Sequence, residues 1–331
     1  MSQLSGIAIT GSGSAVPAAS LDNIGISRLV ETSDEWISSR TGIQRLRLAA
    51  PDESLRGIAA QAAQNALEMA GLTPMDVDLI ILATSTADDL FGSASQIQAE
   101  LGASKAVAFD LTAACSGFVF GMVTAAQFIR TGAYQTVLLI GADVLSRWVD
   151  WADRRTCILF GDGAGAIVIQ ANPASDGLLG FELRSDGTQN NCLTLAFQPQ
   201  PRELVDGVTV GQGSYQPIFM NGQEVYRFAV KKVPEVLEKA LHRADLNVEQ
   251  IDWLLLHQAN QRILDAVAER LSIPAEKVIS NMANHGNTSA ASIPLALDEV
   301  VRAGKIKPGD VIASAGFGAG LTWGAAIFRW G

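Results

Sequence analysis

The chain has 331 residues, with 34 acidic and 24 basic side chains, a formal charge of −10, 48% hydrophobic residues and only 18% charged ones. That balance excludes a nucleic-acid binder, which needs a basic footprint, and an intrinsically disordered chain, which lacks apolar content. A mean hydropathy of +0.21 predicts a large core and an apolar surplus hidden in a thick layered fold or an oligomer.

Met1–Gly6 shows no basic stretch followed by an apolar one, so no signal peptide is read there. Thr32–Arg40, which contains Trp36, has the pattern of a capped helix. Ile58–Ala70 is rich in alanine and apolar nearly all round, which predicts a helix sandwiched between sheets. Val77–Ala83 is one of several short apolar runs expected of strands covered on both faces. None approaches the ~18 residues of a membrane span.

A further strand starts at Val107 and runs into the small-residue turn Thr112–Ala114, and the helix Gly117–Arg130 follows Cys115 directly. A thiol at a helix N-terminus meets free N–H groups and the positive end of the dipole, so Cys115 is expected to have a lowered pKa. Cys157 and Cys192 read as inert core thiols. Three cysteines far apart form neither a disulfide framework nor a CxxC metal pair, so the expectation is a soluble cytoplasmic protein with no metal site. Gly11-Ser12-Gly13, Gly161–Gly165 and Gly316–Gly320 lack the GxGxxG spacing of a dinucleotide fold. They read as close sheet packing and turns, which disfavours a nicotinamide oxidoreductase.

The chain also repeats itself. Ala66–Ile80 and Ala240–Leu254 each carry a helix end, a polar connection, an acidic residue and a strand, at an offset of 174 (Asp78 to Asp252). Gly132 answers Gly304 at 172, and Val137–Ile140 answers Val311–Ser314 at 174. A near-constant offset predicts two similar α/β halves, 1–173 and 174–331, stacked as a pseudo-dimer. The repeat maps Cys115 onto Asn287 and the strand Leu79–Leu82 onto Trp253–Leu256, which His257 follows. Related sites converge at a pseudo-symmetry axis, so a thiol, an imidazole and a carboxamide are expected in one pocket. His285 reads as a residue that orients the loop before Gly286, and His242 as a surface residue.

Four segments resemble the β-ketoacyl-acyl carrier protein synthase III family: Thr112–Phe118, the run His257-Gln258-Ala259-Asn260-Gln261-Arg262, Gly286–Pro294, and Gly316–Gly324. The resemblance runs from the first strand to the final residues. It implies a duplicated thiolase-like α/β fold, layered α-β-α-β-α, and a decarboxylative condensation of a short acyl-CoA with malonyl-acyl carrier protein. It implies Cys115 as nucleophile, His257 and Asn287 as neutral donors to an enolate, and backbone N–H groups of Cys115 and Ala319 as an oxyanion hole. Some relatives have glycine where Ala319 stands.

By the same resemblance, coenzyme A and its pantetheine arm meet Thr32, Trp36, Arg40, Arg154 and Asn260. The carrier protein meets Arg227, Gln258 and Arg262, with Lys231, Lys232, Lys239 and Arg243 on nearby helix faces. One basic position expected further along reads Glu269. Phe91, from a homodimer partner, and Phe317 bound the acyl pocket and point to acetyl-CoA as primer. No cofactor is implied beyond the coenzyme A thioester substrate, and neither nucleic acid nor membrane is a partner. Two other readings are a specialised-metabolite condensing enzyme of the same fold and a non-catalytic acyl-CoA-binding scaffold.

Overall fold

Apolar runs such as Leu79–Ala83 are buried at every position, which requires cover on both faces. The computed structural model, which describes residues 5–331, provides that cover with helices outside and between two sheets. The first sheet runs in the order Gly6–Ala15, Asp162–Asn172, Thr136–Val144, Leu79–Ala83, Val107–Leu111. Its first two junctions are antiparallel and its last two parallel.

The second sheet runs Leu178–Ser185, Thr322–Arg329, Val311–Gly318, Trp253–Leu256, with two antiparallel junctions and then a parallel one. Order and sense therefore match over four strands. In the fifth place stands a single parallel bridge from Leu254 to Val278.

The helices Gly117–Arg130 and Ser292–Arg302 touch strands of both sheets and form the middle layer. Their buried faces share one core cluster, in which Phe118, Met122, Ile293 and Leu297 pack with Ile81, Leu139, Ile312 and Phe328. Leu55–Ala70 covers the outside of the first sheet and Gly222–Arg243 the outside of the second. The layering is α-β-α-β-α.

One expectation is corrected. The alanine-rich helix at Ile58–Ala70 lies outside the first sheet, with Gln61 and Glu68 exposed, rather than between sheets. Its alanines serve close approach: a Cβ at Gly13 would lie 2.3 Å from the Ala62 carbonyl oxygen. The halves are also tied by Asp298, buried on the second half's middle helix, which accepts from Ser12 Oγ at 2.8 Å and Ser14 Oγ at 2.6 Å. The exposed hairpin Phe197–Val205 and Val208–Tyr215 had no counterpart in the sequence reading. Among the described residues no helix is long and apolar enough to cross a membrane.

Gly13→Ala should lower unfolding free energy by roughly 1–3 kcal/mol through overpacking against backbone. Gly187→Ala, where nothing lies within 4 Å, should stay within about 0.5 kcal/mol. Paired denaturant melts check the contrast.

Candidate active site

Strand Val107–Leu111 ends in the turn Ala114–Ser116, from which the middle helix starts. Ser116 Oγ donates to the Ala113 carbonyl at 2.6 Å and lies 2.8 Å from Thr322 Oγ1, which fixes the turn against the second sheet. Cys115 is 7% exposed. A Cβ at Gly318 would lie 2.9 Å from the Cys115 backbone N and 3.2 Å from Sγ, so only a glycine backbone fits over the thiol.

Burial pushes the Cys115 thiol up to about 12; a hydrogen bond from Ser289 lowers it and the nearby Asp143 raises it. This overturns the expectation of a lowered pKa. The helix N-terminus is present, but desolvation of a closed site outweighs its partial charge. Burial likewise raises Cys157 to about 11, while Cys192 reaches about 11 mainly through its hydrogen bond to Glu224.

His257 follows the strand Trp253–Leu256 and donates its backbone N–H to the Ala315 carbonyl at 2.8 Å. The ring is 1% exposed and stands edge-on to Phe317 at 5.3 Å between centroids. Its Nδ1 lies 2.7 Å from Ser292 Oγ, and that hydroxyl also accepts the Gln258 backbone N–H at 3.3 Å. Among the described residues the Ser292 hydroxyl has no other acceptor for its proton than Nδ1, and with that bond made the ring proton sits on Nε2. Burial lowers the His257 pKa to about 3, so the imidazole is neutral.

Asn287 follows Gly286, whose φ of 65° turns the chain into the site. Its Oδ1 accepts the Ser289 N–H at 2.9 Å, which leaves the Nδ2 protons as donors. Cys115, His257, Asn287 and Phe317 line one cavity of about 580 Å³.

The same cavity reaches Trp36, Arg40, Arg227, Asn260 and Arg262. Trp36 lies 4.8 Å from each of the Arg40 and Arg154 guanidinium carbons, a double cation–π stack. Thr32 Oγ1 is buried without a partner. Asn260 caps the helix Gln261–Arg270 by accepting the Arg262 N–H at 2.9 Å, and Arg262 lies 5.7 Å over the Tyr226 ring.

Ala319 and the fully exposed Phe91 line a neighbouring cavity of about 1090 Å³ together with Ala113 and Ala114. His285 is held by Glu299 at 2.6 Å, just before Gly286. Among the described residues no group of three or more His, Cys, Asp or Glu is placed to hold a metal ion.

Gln258 does not belong on a docking surface. It is fully buried, donates to the Leu256 and Ile279 carbonyls and accepts the Asn281 N–H, so it braces the site from within. Lys232 and Arg243 are engaged by Glu235 and Glu182. Ser289, Ser292 and Asp143 escaped the sequence reading, because a serine or aspartate inside an apolar segment carries no local sign of what it will face.

Family models for 3-oxoacyl-(acyl-carrier-protein) synthase III match residues 109–187, and for its C-terminal part residues 241–330. A β-ketoacyl-(acyl-carrier-protein) synthase III of Nostoc sp. is 73% identical over 98% of each chain, and that of Acaryochloris marina 70% over 98% of each. The crystal structure of the Aquifex aeolicus 3-oxoacyl-(acyl-carrier-protein) synthase III superposes with a TM-score of 0.90 at 42% identity, over 98% of this chain and 100% of that one. The priming β-ketosynthase of the R1128 polyketide pathway gives 0.90 at 33% identity, over 100% and 98%.

Because the folded thiol pKa is raised, the thiolate fraction is small at neutral pH and grows tenfold per pH unit. Alkylation of Cys115 by iodoacetamide should therefore still be rising at about pH 10, where a helix-activated thiolate would have levelled below about pH 8. Mass-resolved alkylation rates across that range check it.

Proposed function

The chain belongs to the 3-oxoacyl-(acyl-carrier-protein) synthase III family, and on that premise we propose how its residues perform the initiating condensation of fatty acid synthesis. It is an acyltransferase that joins a short acyl-CoA, acetyl-CoA in our reading, to malonyl-acyl carrier protein. The products are 3-oxoacyl-acyl carrier protein, coenzyme A and CO2. The observation that carries the residue assignment is one cavity shared by the Cys115 thiol, the neutral His257 ring and the Asn287 carboxamide.

In the first half-reaction Cys115 Sγ attacks the thioester carbonyl, and the carbon–sulfur bond to coenzyme A breaks. The thiol is protonated at rest, so its proton leaves during attack and ends on the coenzyme A sulfur. The oxyanion formed in passing falls to the backbone N–H groups of Cys115 and Ala319. In the second half-reaction the malonyl carboxylate departs as CO2 and its electron pair moves into the thioester, forming an enolate. His257 Nε2–H and Asn287 Nδ2–H donate to that oxygen. A neutral imidazole suits this task, since decarboxylation itself generates the carbanion and no base is required. The carbanion attacks the acyl-cysteine and expels the Cys115 sulfur as a thiolate, which takes up one proton from solvent.

The adenine of coenzyme A would open the Arg40–Trp36–Arg154 stack and take a face of the indole, with Thr32 Oγ1 and Asn260 as polar contacts. Arg227 and Arg262, exposed at the mouth, would receive the acidic carrier protein against the chain's overall negative field. The exposed Leu90, Phe91 and Val107 support a homodimer, in which Phe91 of one subunit closes the acyl pocket of the other. The matching strand order of the two sheets supports the division of the chain into halves 1–173 and 174–331. Cytoplasmic location, and independence from metal or redox cofactors, complete the proposal.

Incubation with acetyl-CoA alone should add one acetyl group, on Cys115, by peptide mass. His257→Ala and Asn287→Ala should each slow malonyl decarboxylation on the order of 10²–10³-fold while leaving that acetylation largely intact. Acetyl on Cys157 or Cys192, or equal loss of both half-reactions, would refute the roles.

Similarity to a polyketide priming enzyme keeps a specialised-metabolite synthase as the second reading, and donor choice separates the two. Arg262→Glu should raise KM for malonyl-acyl carrier protein and leave acetylation by acetyl-CoA unchanged. A specialised-metabolite synthase would instead use malonyl-CoA equally well and ignore the substitution, and a binding scaffold would form no product.

A further inference from the structure

Asp143 stands next to last in the strand Thr136–Val144 of the first half and is wholly buried. Among the described residues no cation pairs with it. A buried carboxylate without a counter-ion is costly unless donors surround it. Here they do. Oδ1 accepts the Ser85 N–H at 2.8 Å, Thr86 Oγ1 at 2.9 Å and Thr84 Oγ1 at 3.2 Å. Oδ2 accepts the Ala290 N–H at 3.1 Å; burial still raises the Asp143 pKa above the usual carboxylate value.

Three of those residues belong to one loop of the first half. Ser289 and Ala290 belong to the second half and follow Asn287 after one residue, Thr288. Ser289 is the residue whose N–H donates to the Asn287 carboxamide oxygen, and its φ of 50° is a conformation that needs outside support. The carboxylate therefore clamps, across the boundary between halves, the short segment that aims Asn287.

We propose that Asp143 is a positioning residue for the condensing half-reaction, holding Ser289–Ala290 so that Asn287 turns its Nδ2–H toward the enolate oxygen. The inference rests on the reading of Asn287 as an enolate donor. It also predicts an electrostatic signature. The charged and titratable groups around Cys115 among the described residues are Asp143 behind the turn, His257 beside it, and Arg40, Tyr226, Arg227 and Arg262 along the cavity. Asp143 is the only carboxylate in that set, so neutralising it favours the thiolate.

Asp143→Asn conserves size but cannot conserve the clamp. Each carboxylate oxygen receives one backbone N–H, from Ser85 or Ala290, so the amide NH2 must oppose one of them in either orientation. Malonyl decarboxylation by the acetylated variant should fall roughly 10- to 100-fold, with Cys115 acetylation changed less than about threefold. On an Asn287→Ala background the substitution should cost less than about threefold further, because the group it positions is gone. The pH midpoint of Cys115 alkylation should move down.

Equal loss of both half-reactions, losses that multiply in the double variant, or an unmoved midpoint would each overturn the proposal. If Asp143→Asn does not fold, Thr86→Val withdraws one donor from the same carboxylate and should show the same preferential loss, about two- to tenfold. Wild-type protein that takes no acetyl group on Cys115 refutes the proposed function. Wild-type protein that completes both half-reactions, beside a variant that loses both equally, refutes only this inference.

Discussion

The structure depends on how closely each sheet's strand ends approach the turn that begins the other half's middle helix. In one direction a Cβ at Gly141 would lie 2.2 Å from the Ala290 carbonyl, and in the other a Cβ at Gly316 would lie 2.9 Å from Ser116 Cα. The two contacts are counterparts under the internal repeat. Each demands a residue without a side chain on the strand and small residues on the turn. Because the backbones touch, the reactive side chains at both turns are brought to one place with little freedom to move.

That contact also dries the site, and dryness sets its chemistry. Both key groups are held uncharged by burial, the thiol by a raised pKa and the imidazole by a lowered one. A neutral imidazole with its proton on Nε2 is a hydrogen-bond donor, and a donor fixed in a low-dielectric pocket stabilises developing negative charge better than one that must reorganise in water. The same burial removes the usual argument for an activated cysteine. In the proposed reaction the thiol proton therefore leaves during attack and passes to the coenzyme A sulfur as that sulfur departs.

Charge in this molecule is placed where it does separate work. The net charge is negative, yet the cavity mouth presents Arg40, Arg227 and Arg262. Lys232 and Arg243 are spent on neighbouring carboxylates. Deep in the fold, the carboxylates of Asp143 and Asp298 face hydroxyl groups and backbone N–H groups across the boundary between halves, Asp298 with Arg302 as an added cation. Directional bonds of this kind specify register where apolar packing alone would tolerate sliding.

The sequence by itself determined the fold class, showed an internal repeat and singled out Cys115, His257 and Asn287, which the structure brings to one cavity. Strand runs, a near-constant offset and a turn of small residues are local or periodic signals, but the offset does not pair Cys115 with Asn287. The turns Ala114–Ser116 and Ser289–Ala291, with positive φ at Ala114 and Ser289, make Ala290 the counterpart of Cys115, and Asn287 enters the same cavity from the loop before that turn. The position of the Ile58–Ala70 helix, the protonation of Cys115 and the place of Gln258 were decided only by tertiary structure. An alanine-rich helix looks alike whether it is buried on all sides or pressed tightly on one. A thiol at a helix start is pulled down by the dipole and pushed up by burial, and only the roof at Gly318 decides which wins. Gln258 sits inside the most recognisable motif of the chain, but whether a glutamine meets a partner or three backbone groups depends on the strands around it. Burial is a property of everything that packs against a residue, and no short window of sequence contains that information.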